Sequence, residues 1–392
     1  MSNYFDVMKH CSKCLLPVTH ECINFDEDGT CSICKNHKYK QEEVDWKKRE
    51  KGFVKLLSSY RDKGPYDCII PGSGGKDSTF QWYILVKKYK LRPLAVTFDH
   101  GLFRPTVIEN RERALRRLGI DQLTFKPSWQ VIKKTMLEGL KQSGDTCWHC
   151  HCGVYAYPAK IAVKFNIPLV IWGEPTSEYT SYVSYDGSET GREVIDEKAF
   201  NRYINLGINA DDMYEKLGGQ VALCDLEFAR YPKYEEVKAI GFQSICLGDY
   251  ISWDTKNQVE LIKKELGWKE DPIEGIPPEY GYEKMECMMY GVRDYLKFIK
   301  RGYGRTNHLM NFDIRNGEIS REEAIKIVEK YDGRRPESLD LFLKWLGITE
   351  DEFMKIAISQ CIAPHKHDPS RVKRGEALWD RDQWDKMIGE DY

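Results

Sequence analysis

The sequence predicts an α/β fold built on a doubly wound, mostly parallel sheet, and two observations carry that prediction. From Tyr66 onward, short apolar runs alternate repeatedly with segments of helical spacing. The first of these runs leads directly into a glycine-rich turn that opens a helix. Strands that alternate with helices in this way are typical of a parallel sheet with helices on both faces.

The individual elements follow from the same alternation. Apolar runs predict strands over 67–70, 94–98, 122–126, 168–173 and 244–248, and helices are predicted over 80–89, 105–118 and 129–142. Pro105 and Gly119 fit the start and the end of the second helix, since proline is favoured in a first turn and glycine just after a last one. The stretch 178–229 is predicted to be either a substrate-shaping lid or an ordinary set of surface helices and loops.

Two regions of different character flank the sheet. An N-terminal zinc-ribbon-like module is assigned to 1–45, the sheet domain to 46–270 and a helical C-terminal region to 271–392. In the last region, helices are predicted over 283–300, 320–333, 335–346 and 350–359. Ser320 and Glu323 supply a capping box for the second of these helices.

Composition and charge exclude several classes of function. The chain has 59 Lys and Arg against 61 Asp and Glu, so its net charge of -2 provides no overall basic field for nucleic acid. Its apolar runs are far shorter than the roughly 20 residues of a bilayer span, and the first residues contain no apolar block of signal-peptide length. We therefore expect a cytoplasmic protein without membrane insertion, whose 13 cysteines serve metal binding or thiol chemistry rather than disulfides.

The strongest chemical signal is the turn after the first predicted strand, with the sequence Pro71-Gly72-Ser73-Gly74-Gly75-Lys76-Asp77-Ser78. Glycines let a ligand approach the backbone closely, and N–H groups at a helix N-terminus bind anions. Ser73 and Ser78 add hydroxyls, Lys76 adds a positive charge, and Asp77 can help to hold Mg²⁺. The turn is not a Walker A motif, because Asp follows the Lys where that motif has Ser or Thr. A phosphate site is therefore predicted rather than a plain tight turn.

Two other predicted strands end in residues that fit a nucleotide site. Thr97 and Asp99 end the second strand, where the ribose or base would lie, and Gly173 and Glu174 end the fourth strand near the topological switch point. These four residues are assigned to ATP binding together with the turn. The alternative is that Asp99 and Glu174 are solvated loop acids.

The second strong signal is a pair of Cys-x2-Cys motifs, Cys11 with Cys14 and Cys31 with Cys34. Four thiolates in two such pairs fit a tetrahedral Zn²⁺ ion. The zinc would be structural, because this short segment has too little apolar sequence for a core of its own. An iron–sulfur cluster on the same four ligands is the alternative.

A weaker cluster of cysteines and histidines occupies residues 147–152. Cys147 and Cys150 are candidate ligands of a second metal, with a distant partner such as Cys224, Cys246 or Cys287. Two other interpretations stay open, a pair of reactive thiols or a buried turn in which cysteines act as small apolar residues.

Cationic residues gather at 301–308 and at 334–335. Arg305 and His308 follow a predicted helix in a glycine-containing loop and are assigned to substrate contact, since a guanidinium fits carboxylates and phosphates. For Arg334 and Arg335, a favourable interaction with a helix C-terminus is an equal explanation.

Nearly the whole chain resembles one family of enzymes. The turn at 73–78 resembles that of the ATP pyrophosphatase (PP-loop) superfamily, whose fold is like that of the adenine-nucleotide α-hydrolases. The stretches 66–71, 145–151, 166–174, 271–280, 291–297 and 301–306 are similar to those of the N-acetyl sugar amidotransferases of bacterial surface-polysaccharide synthesis.

This resemblance implies an ATP-dependent reaction that forms AMP and pyrophosphate, with Mg²⁺ as cofactor and with Lys76 and Asp77 as catalytic residues. The reaction would convert the N-acetyl group of an acidic sugar or nucleotide sugar to an acetamidino group, in the synthesis of O-antigen or another surface polysaccharide. The resemblance also implies two partners, a separate glutaminase and a cyclase-like barrel that conducts ammonia to this chain.

Two alternative functions use the same features differently. Some tRNA thiolation enzymes combine a cysteine zinc module, this turn, and a later Cys-x2-Cys that holds an iron–sulfur cluster with a third Cys, which the Cys147 and Cys150 pair would fit. The net charge argues against a nucleic-acid substrate. The second alternative hypothesis is a non-catalytic nucleotide sensor or scaffold protein. The presence of both Lys76 and Asp77 argues against it.

Overall fold

The computed structural model describes residues 8–21, 23–175, 200, 204–205, 207–369 and 372–374. The central strands are β1 (Cys68–Pro71), β2 (Pro93–Phe98), β3 (Asp121–Phe125), β4 (Leu169–Trp172) and β5 (Gln243–Cys246). They form a parallel sheet in the order β3-β2-β1-β4-β5, so the chain builds outward from β1 to β3 and then places β4 on the other side of β1. The predicted doubly wound sheet is confirmed.

Helices cover both faces of this sheet. They are α1 (Ser32–Glu42), α2 (Trp46–Ser58), α3 (Lys76–Lys87), α4 (Pro105–Leu118), α5 (Trp129–Ser143), α6 (Trp148–Phe165), α7 (Ala210–Leu217), α8 (Tyr234–Ala239) and α9 (Thr255–Leu266). Because side chains alternate across a strand, Ile70 joins the core formed with Trp82 of α3, whereas Ile69 joins the core formed with Ile161 of α6.

The C-terminal region is helical, as predicted, with two corrections. Its helices are α10 (Tyr290–Arg301), α11 (Arg305–Arg315), α12 (Arg321–Tyr331), α13 (Ser338–Leu346) and α14 (Glu350–Ser359). The helix predicted over 283–300 begins only at Tyr290. The helix predicted over 335–346 begins at Ser338, because β6 (Arg334–Arg335) pairs with β7 (Lys373–Arg374).

The segment before α10 is held in a non-helical path by the sheet domain. The N–H of Arg104 donates to the carbonyl of Glu286 at 3.2 Å, and the N–H of Met288 donates to the carbonyl of Leu102 at 2.9 Å. Backbone groups bound in this way to another part of the chain are not available for helical hydrogen bonds. As a result, residues 283–289 reach the carboxyl edge of the sheet.

The N-terminal module packs on the helical region. The side chain of Asn311 accepts the N–H of Leu15 at 2.7 Å, and the hydroxyl of Thr19 donates to the carbonyl of Arg301 at 2.6 Å. These bonds connect the N-terminal module directly to the helical C-terminal region. The assigned domain boundaries stay predictions.

Half of the stretch 178–229, for which a lid was one of the two predictions, lies outside the described residues. The described part contains α7 and a 3-10 segment, Leu223–Ala229, which share a core with α6. None of the described helices has both the length and the apolar character needed to cross a bilayer.

Candidate active site

The candidate site lies at the switch point of the sheet, between β1 and β4. The glycine-rich turn follows β1, and Gly173 and Glu174 follow β4, so both reach the carboxyl edge of the sheet. A cavity of about 290 Å³ opens there, and its charged side chains are Asp77, Glu174, Lys284 and Glu286. A larger cavity of about 1030 Å³ lies beside α6, and none of the residues assigned to ATP binding line it. Because open α/β sheets bind ligands at the switch point, the smaller cavity is the candidate nucleotide site.

The turn is packed too closely for residues other than glycine. A Cβ atom on Gly72 would lie 2.5 Å from the ring of Trp82, and one on Gly75 would overlap the carboxylate of Glu286. Gly74 has a φ of 103°, in the left-handed region that side-chain-bearing residues rarely adopt. Glycine at these three positions therefore allows the backbone to turn tightly along the cavity.

Hydroxyl groups hold this path in shape. The N–H of Gly74 donates to Oγ of Ser78 at 3.1 Å, and the N–H of Gly75 donates to Oγ of Ser73 at 3.2 Å. Helix α3 then begins at Lys76 without a side-chain cap. N–H groups at such a helix start fit a bound anion.

Lys76 is buried beneath the turn and does not line the cavity. Its Nζ lies 2.6 Å from Oδ2 of Asp77 and 3.1 Å from Oε1 of Glu283, and its side chain is 2% exposed. Two carboxylates therefore neutralise the ammonium within the protein. This arrangement suits a residue that fixes the positions of Asp77 and Glu283.

Asp77, Glu174 and Lys284 form the charged floor of the cavity. Nζ of Lys284 lies 3.0 Å from Oε1 of Glu174. Burial and the neighbouring Glu174 raise the pKa of Asp77 well above its usual value. Burial alone would raise the pKa of Glu174, but the ammonium of Lys284 outweighs it and holds this pKa below the usual value.

The two carboxyl groups fit a divalent cation. Oδ1 of Asp77 and Oε2 of Glu286 are buried and have no hydrogen-bond partner among the described residues. Orphaned carboxylate oxygens beside a second acid are costly unless a cation or proton satisfies them. Carboxylate oxygens are also the protein ligands that Mg²⁺ prefers. Asp77, with the carboxyl groups of Glu174 and Glu286 in the same cavity lining, is therefore a suitable place for Mg²⁺.

Lys284 is a site residue that sequence reasoning missed. It lies in the segment that was predicted to be helical, and its φ of 51° is unusual for a residue other than glycine. Such backbone conformations cost free energy and persist where the surrounding structure imposes them. Burial lowers the pKa of Lys284, but Glu174 outweighs this and raises it, so its side chain is a cation at the cavity wall.

Thr97 and Asp99 are not brought to the cavity wall, although both were assigned to ATP binding. The hydroxyl of Thr97 donates to the carbonyl of Gly72 at 2.6 Å and so supports the turn from behind. Asp99 accepts the N–H of Gly101 at 2.8 Å in a local turn. Their neighbours Val96, Phe98 and His100 line the cavity instead.

The four N-terminal cysteines form one compact cluster. Their sulfur atoms all lie within 4.8 Å of one another, with 3.9 Å between Cys11 and Cys34 and 3.7 Å between Cys14 and Cys31. Four thiolates at about 2.3 Å from a tetrahedral ion would stand about 3.8 Å apart. Contacts among these thiols lower the pKa of Cys11 and raise the pKa values of Cys14 and Cys34, so the four sulfur atoms are close enough to share protons or a metal ion. The geometry fits a single ion bound by all four residues.

The second cysteine group lies beside the candidate site, which one of its members, Cys150, lines. Cys147 caps the start of α6, Cys150 lines the cavity, and Cys287 lies near both. Burial raises the pKa of Cys147 to about 11 and that of Cys287 to about 12, which disfavours highly reactive thiols. Within the described ranges, the N-terminal four are the one set of three or more potential ligands within 4.8 Å. A second metal on Cys147 and Cys150 stays a prediction.

Arg305 and His308 lie beyond the cavity, at the start of α11. Arg305 makes a two-pronged ion pair with Asp294, with both nitrogen–oxygen distances at 3.2 Å. Burial and the charges of Lys297 and Arg305 hold the pKa of His308 well below its usual value, so its ring is neutral. The ring of Tyr290 connects this region to the cavity, which Tyr290 also lines.

The C-terminal region matches a known family. Residues 279–385 match the family described as "LPS biosynthesis protein WbpG-like, C-terminal domain". This match confirms the resemblance to proteins of surface-polysaccharide synthesis that the sequence indicated. It includes Lys284, Glu286 and Tyr290 of the cavity wall.

Other similarities are more distant. The chain is 27% identical over 164 residues to "Uncharacterized protein MJ1599" of Methanocaldococcus jannaschii, which is 42% of this chain and 58% of that protein. The chain thus spans little more than half the length of this curated relative.

Solved structures with weak similarity include a U34-tRNA thiolase, NcsA, from Methanococcus maripaludis with its [4Fe-4S] cluster, at 14% identity and a TM-score of 0.32, over 92% of this chain and 99% of that chain. An NMN synthetase from Francisella tularensis has 16% identity and a TM-score of 0.28, over 57% and 87% of the two chains. An NH3-dependent NAD synthetase from Campylobacter jejuni has 15% identity and a TM-score of 0.28, over 59% and 100%. With TM-scores this low, these similarities support no conclusion about function.

Proposed function

We propose that this protein is an ATP-dependent amidotransferase that converts an acetamido group of an acidic sugar or nucleotide sugar to an acetamidino group. The observation that carries the proposal is the convergence of the glycine-rich turn, Asp77, Glu174 and Lys284 on one cavity at the switch point. The match of the C-terminal region to a family of lipopolysaccharide biosynthesis supports a sugar substrate.

The chemistry explains why such a reaction consumes a nucleotide. An amide oxygen is a very poor leaving group, so ammonia does not replace it unaided. When the amide oxygen attacks the α-phosphorus of ATP, pyrophosphate leaves and the oxygen carries AMP. Ammonia then adds to the amide carbon, AMP departs with the oxygen, and loss of a proton from the nitrogen gives the amidine.

The described residues divide this work between them. The helix start after Gly75, with the hydroxyls of Ser73 and Ser78, would bind the departing pyrophosphate. Lys284 would contact phosphate oxygens, since it is the lysine at the cavity wall. Lys76 would keep Asp77 in place through their 2.6 Å contact.

Asp77 and Glu174 would hold Mg²⁺, which supplies positive charge to the phosphates when bound. Ammonia is mostly ammonium at neutral pH. We therefore propose a separate glutaminase with a cyclase-like barrel that delivers ammonia directly, and a cytoplasmic location where ATP and glutamine are available.

We also propose that the ion of the N-terminal module is Zn²⁺. Thiolates in two Cys-x2-Cys pairs are typical zinc ligands, and the close sulfur contacts suit one ion better than a cluster that places several irons between its ligands. Its role is structural, because this module packs on α10 and α11 rather than on the cavity.

The test of the proposed reaction is product analysis. Purified protein is incubated with ATP, Mg²⁺, ammonium chloride and a diacetamido uronic-acid nucleotide sugar, and the products are examined by mass spectrometry. We expect AMP, pyrophosphate and a sugar in which one oxygen is replaced by NH, and we expect Lys284→Met to abolish all three. Lys355→Met, which removes the same charge from an exposed site on α14, is the matched control and should react normally. ADP and inorganic phosphate as products would refute the proposal.

One observation favours a second candidate function, tRNA thiolation. Cys150 lines the cavity, and Cys147 and Cys287 lie close enough to influence its charge. Three thiols beside a nucleotide site would suit an iron–sulfur cluster. Anaerobically purified protein that is brown, loses its colour in Cys150→Ser, and binds tRNA in a strongly salt-dependent manner would favour thiolation over amidine formation.

A further inference from the structure

Helix α10 carries a row of cations on one face. Arg293, Lys297 and Arg301 are spaced four residues apart, which places them one above the other along the helix. Arg305 and His308 at the start of α11 lie against the same row, since Lys297 and Arg305 both affect the charge of His308. We refer to Arg293, Lys297, Arg305 and His308 as the cationic patch.

Carboxylates within the protein neutralise only part of this charge. Arg305 is paired with Asp294, and Arg301 is paired with Glu21 at 2.7 Å. Neither Arg293 nor Lys297 has a carboxylate oxygen within 4.0 Å among the described residues. In the described part of the chain, these two half-buried cations therefore make no ion pair with a carboxylate.

Lys297 differs from an ordinary solvated lysine. Its Nζ lies 4.2 Å from the centre of the Tyr303 ring. Burial, followed by repulsion from Arg305, lowers its pKa to about 8. A lysine on a solvated helix face would keep its usual value, so the side chain lies in a partly dry environment where an anion would be bound strongly.

The patch lies next to the candidate nucleotide cavity, with the ring of Tyr290 between them. Tyr290 lines the cavity, and its ring lies 5.9 Å from the guanidinium of Arg293 and 6.0 Å from that of Arg305. On the other side of Arg293, its guanidinium lies 3.5 Å from Nε2 of His151. A molecule that extends from the reacting end of the cavity past Tyr290 would reach Arg293 first and Lys297 next.

We propose that the cationic patch binds the anionic group of the acetamido sugar, a carboxylate or a phosphate, with Lys297 and Arg293 as its principal contacts. This inference rests on the proposed function, because it assigns the substrate of that reaction to a place beside the nucleotide. Arg293 and Lys297 would contact the anionic group directly. Arg305 has a supporting role, because its guanidinium is already paired with the carboxylate of Asp294.

Binding measurements with three probes test this inference and identify the anion. N-acetylneuraminic acid carries a carboxylate and no phosphate, UDP-N-acetylglucosamine carries a diphosphate and no carboxylate, and N-acetylglucosamine carries neither. Dissociation constants are measured by calorimetry for the full-length protein and for Lys297→Met, Lys297→Arg and the charge-matched control Lys355→Met. ATP affinity is measured for each variant to show that the cavity is intact.

We expect one anionic probe to bind more tightly than the neutral sugar. Its affinity should fall about tenfold or more in Lys297→Met, recover in part in Lys297→Arg and stay unchanged in Lys355→Met. Arg293→Gln should weaken the same probe, which keeps the test valid if Lys297→Met does not fold. The probe that responds, carboxylate or diphosphate, shows which anion the patch takes.

Three results would overturn the inference. These are equal affinities for charged and neutral probes, affinity that does not depend on Lys297, and Lys297-dependent binding of tRNA alone. If such a protein still forms AMP, the proposed reaction is retained and only the assignment of the cationic patch to the sugar is refuted. If the sugar binds in a Lys297-dependent manner but no AMP forms, the patch assignment is retained and the proposed reaction is refuted.

Discussion

The buried ion pairs of Lys76 allow a quantitative prediction about stability. In Lys76→Met, the carboxylates of Asp77 and Glu283 lose their shared cation, and their side chains are only 13% and 8% exposed. Removing one partner of a buried ion pair typically costs about 3–5 kcal/mol, because the remaining charge is left without compensation. We expect a loss of this size in the free energy of unfolding, measured by urea denaturation followed by tryptophan fluorescence.

Lys284→Met is the matched comparison. Lys284 and its partner Glu174 are 23% and 29% exposed, so solvent screens their pairing and we expect a loss of about 1 kcal/mol or less. The double variant Lys76→Met with Glu283→Gln should regain part of the lost stability, because one unpaired charge is removed. If Lys76→Met is as stable as Lys284→Met, the assignment of Lys76 to a supporting role is wrong.

Three further predictions concern other parts of the molecule. Cys14→Ser should abolish the binding of one zinc per chain, measured by metal analysis, and lower the unfolding temperature, whereas the exposed Cys224→Ser should do neither. Gly75→Ala should weaken ATP binding in calorimetry, because the new Cβ displaces the carboxylate of Glu286 in the cavity. Gly52→Ala, on an open helix face, should leave ATP binding unchanged and stabilise the fold by about 0.5–1 kcal/mol. Weaker ATP binding in Gly52→Ala than in Gly75→Ala would contradict the packing of the turn. Anion affinity should fall as the pH rises through about 8, where Lys297 loses its charge, and Lys297→Arg should remove that fall; a flat profile in the unmodified protein would contradict it. The charged and titratable groups that face this lysine are His20, Glu21, Arg293, Asp294, Tyr303, Arg305 and His308.

The sheet and the turn were predictable because their signals are local. A buried parallel strand appears as a short apolar run, and the glycines after β1 precede the helix that they open. The second helix was predicted to its ends, since Pro105 begins α4 and Gly119 ends it with a φ of 67°. In these segments the neighbours in the sequence determine the conformation.

Helix α6 shows where local signals fail. It is apolar around much of its circumference and contains Pro158, so it has neither a clear apolar stripe nor an uninterrupted helical pattern. Its burial between the sheet and the 3-10 segment Leu223–Ala229 allows it to form. As a consequence, Cys150 became visible as a cavity residue only from the structure.

Lys284 was missed for a related reason. The methionines before α10 continue its apolar spacing backward, which predicts a longer helix. Instead, hydrogen bonds from Arg104 to Glu286 and from Met288 to Leu102 determine the conformation. These partners are distant in the sequence, so no local sequence pattern predicts them.

The candidate nucleotide site therefore depends on both halves of the chain. Glu283 pairs with Lys76, Lys284 pairs with Glu174, and Glu286 fills the space beside Gly75. All three belong to the region that matches the lipopolysaccharide family, whereas their partners belong to the sheet. Helix α10 begins only four residues after Glu286 and carries the cationic patch, so the proposed sugar site and the candidate nucleotide site are joined by one short segment of chain.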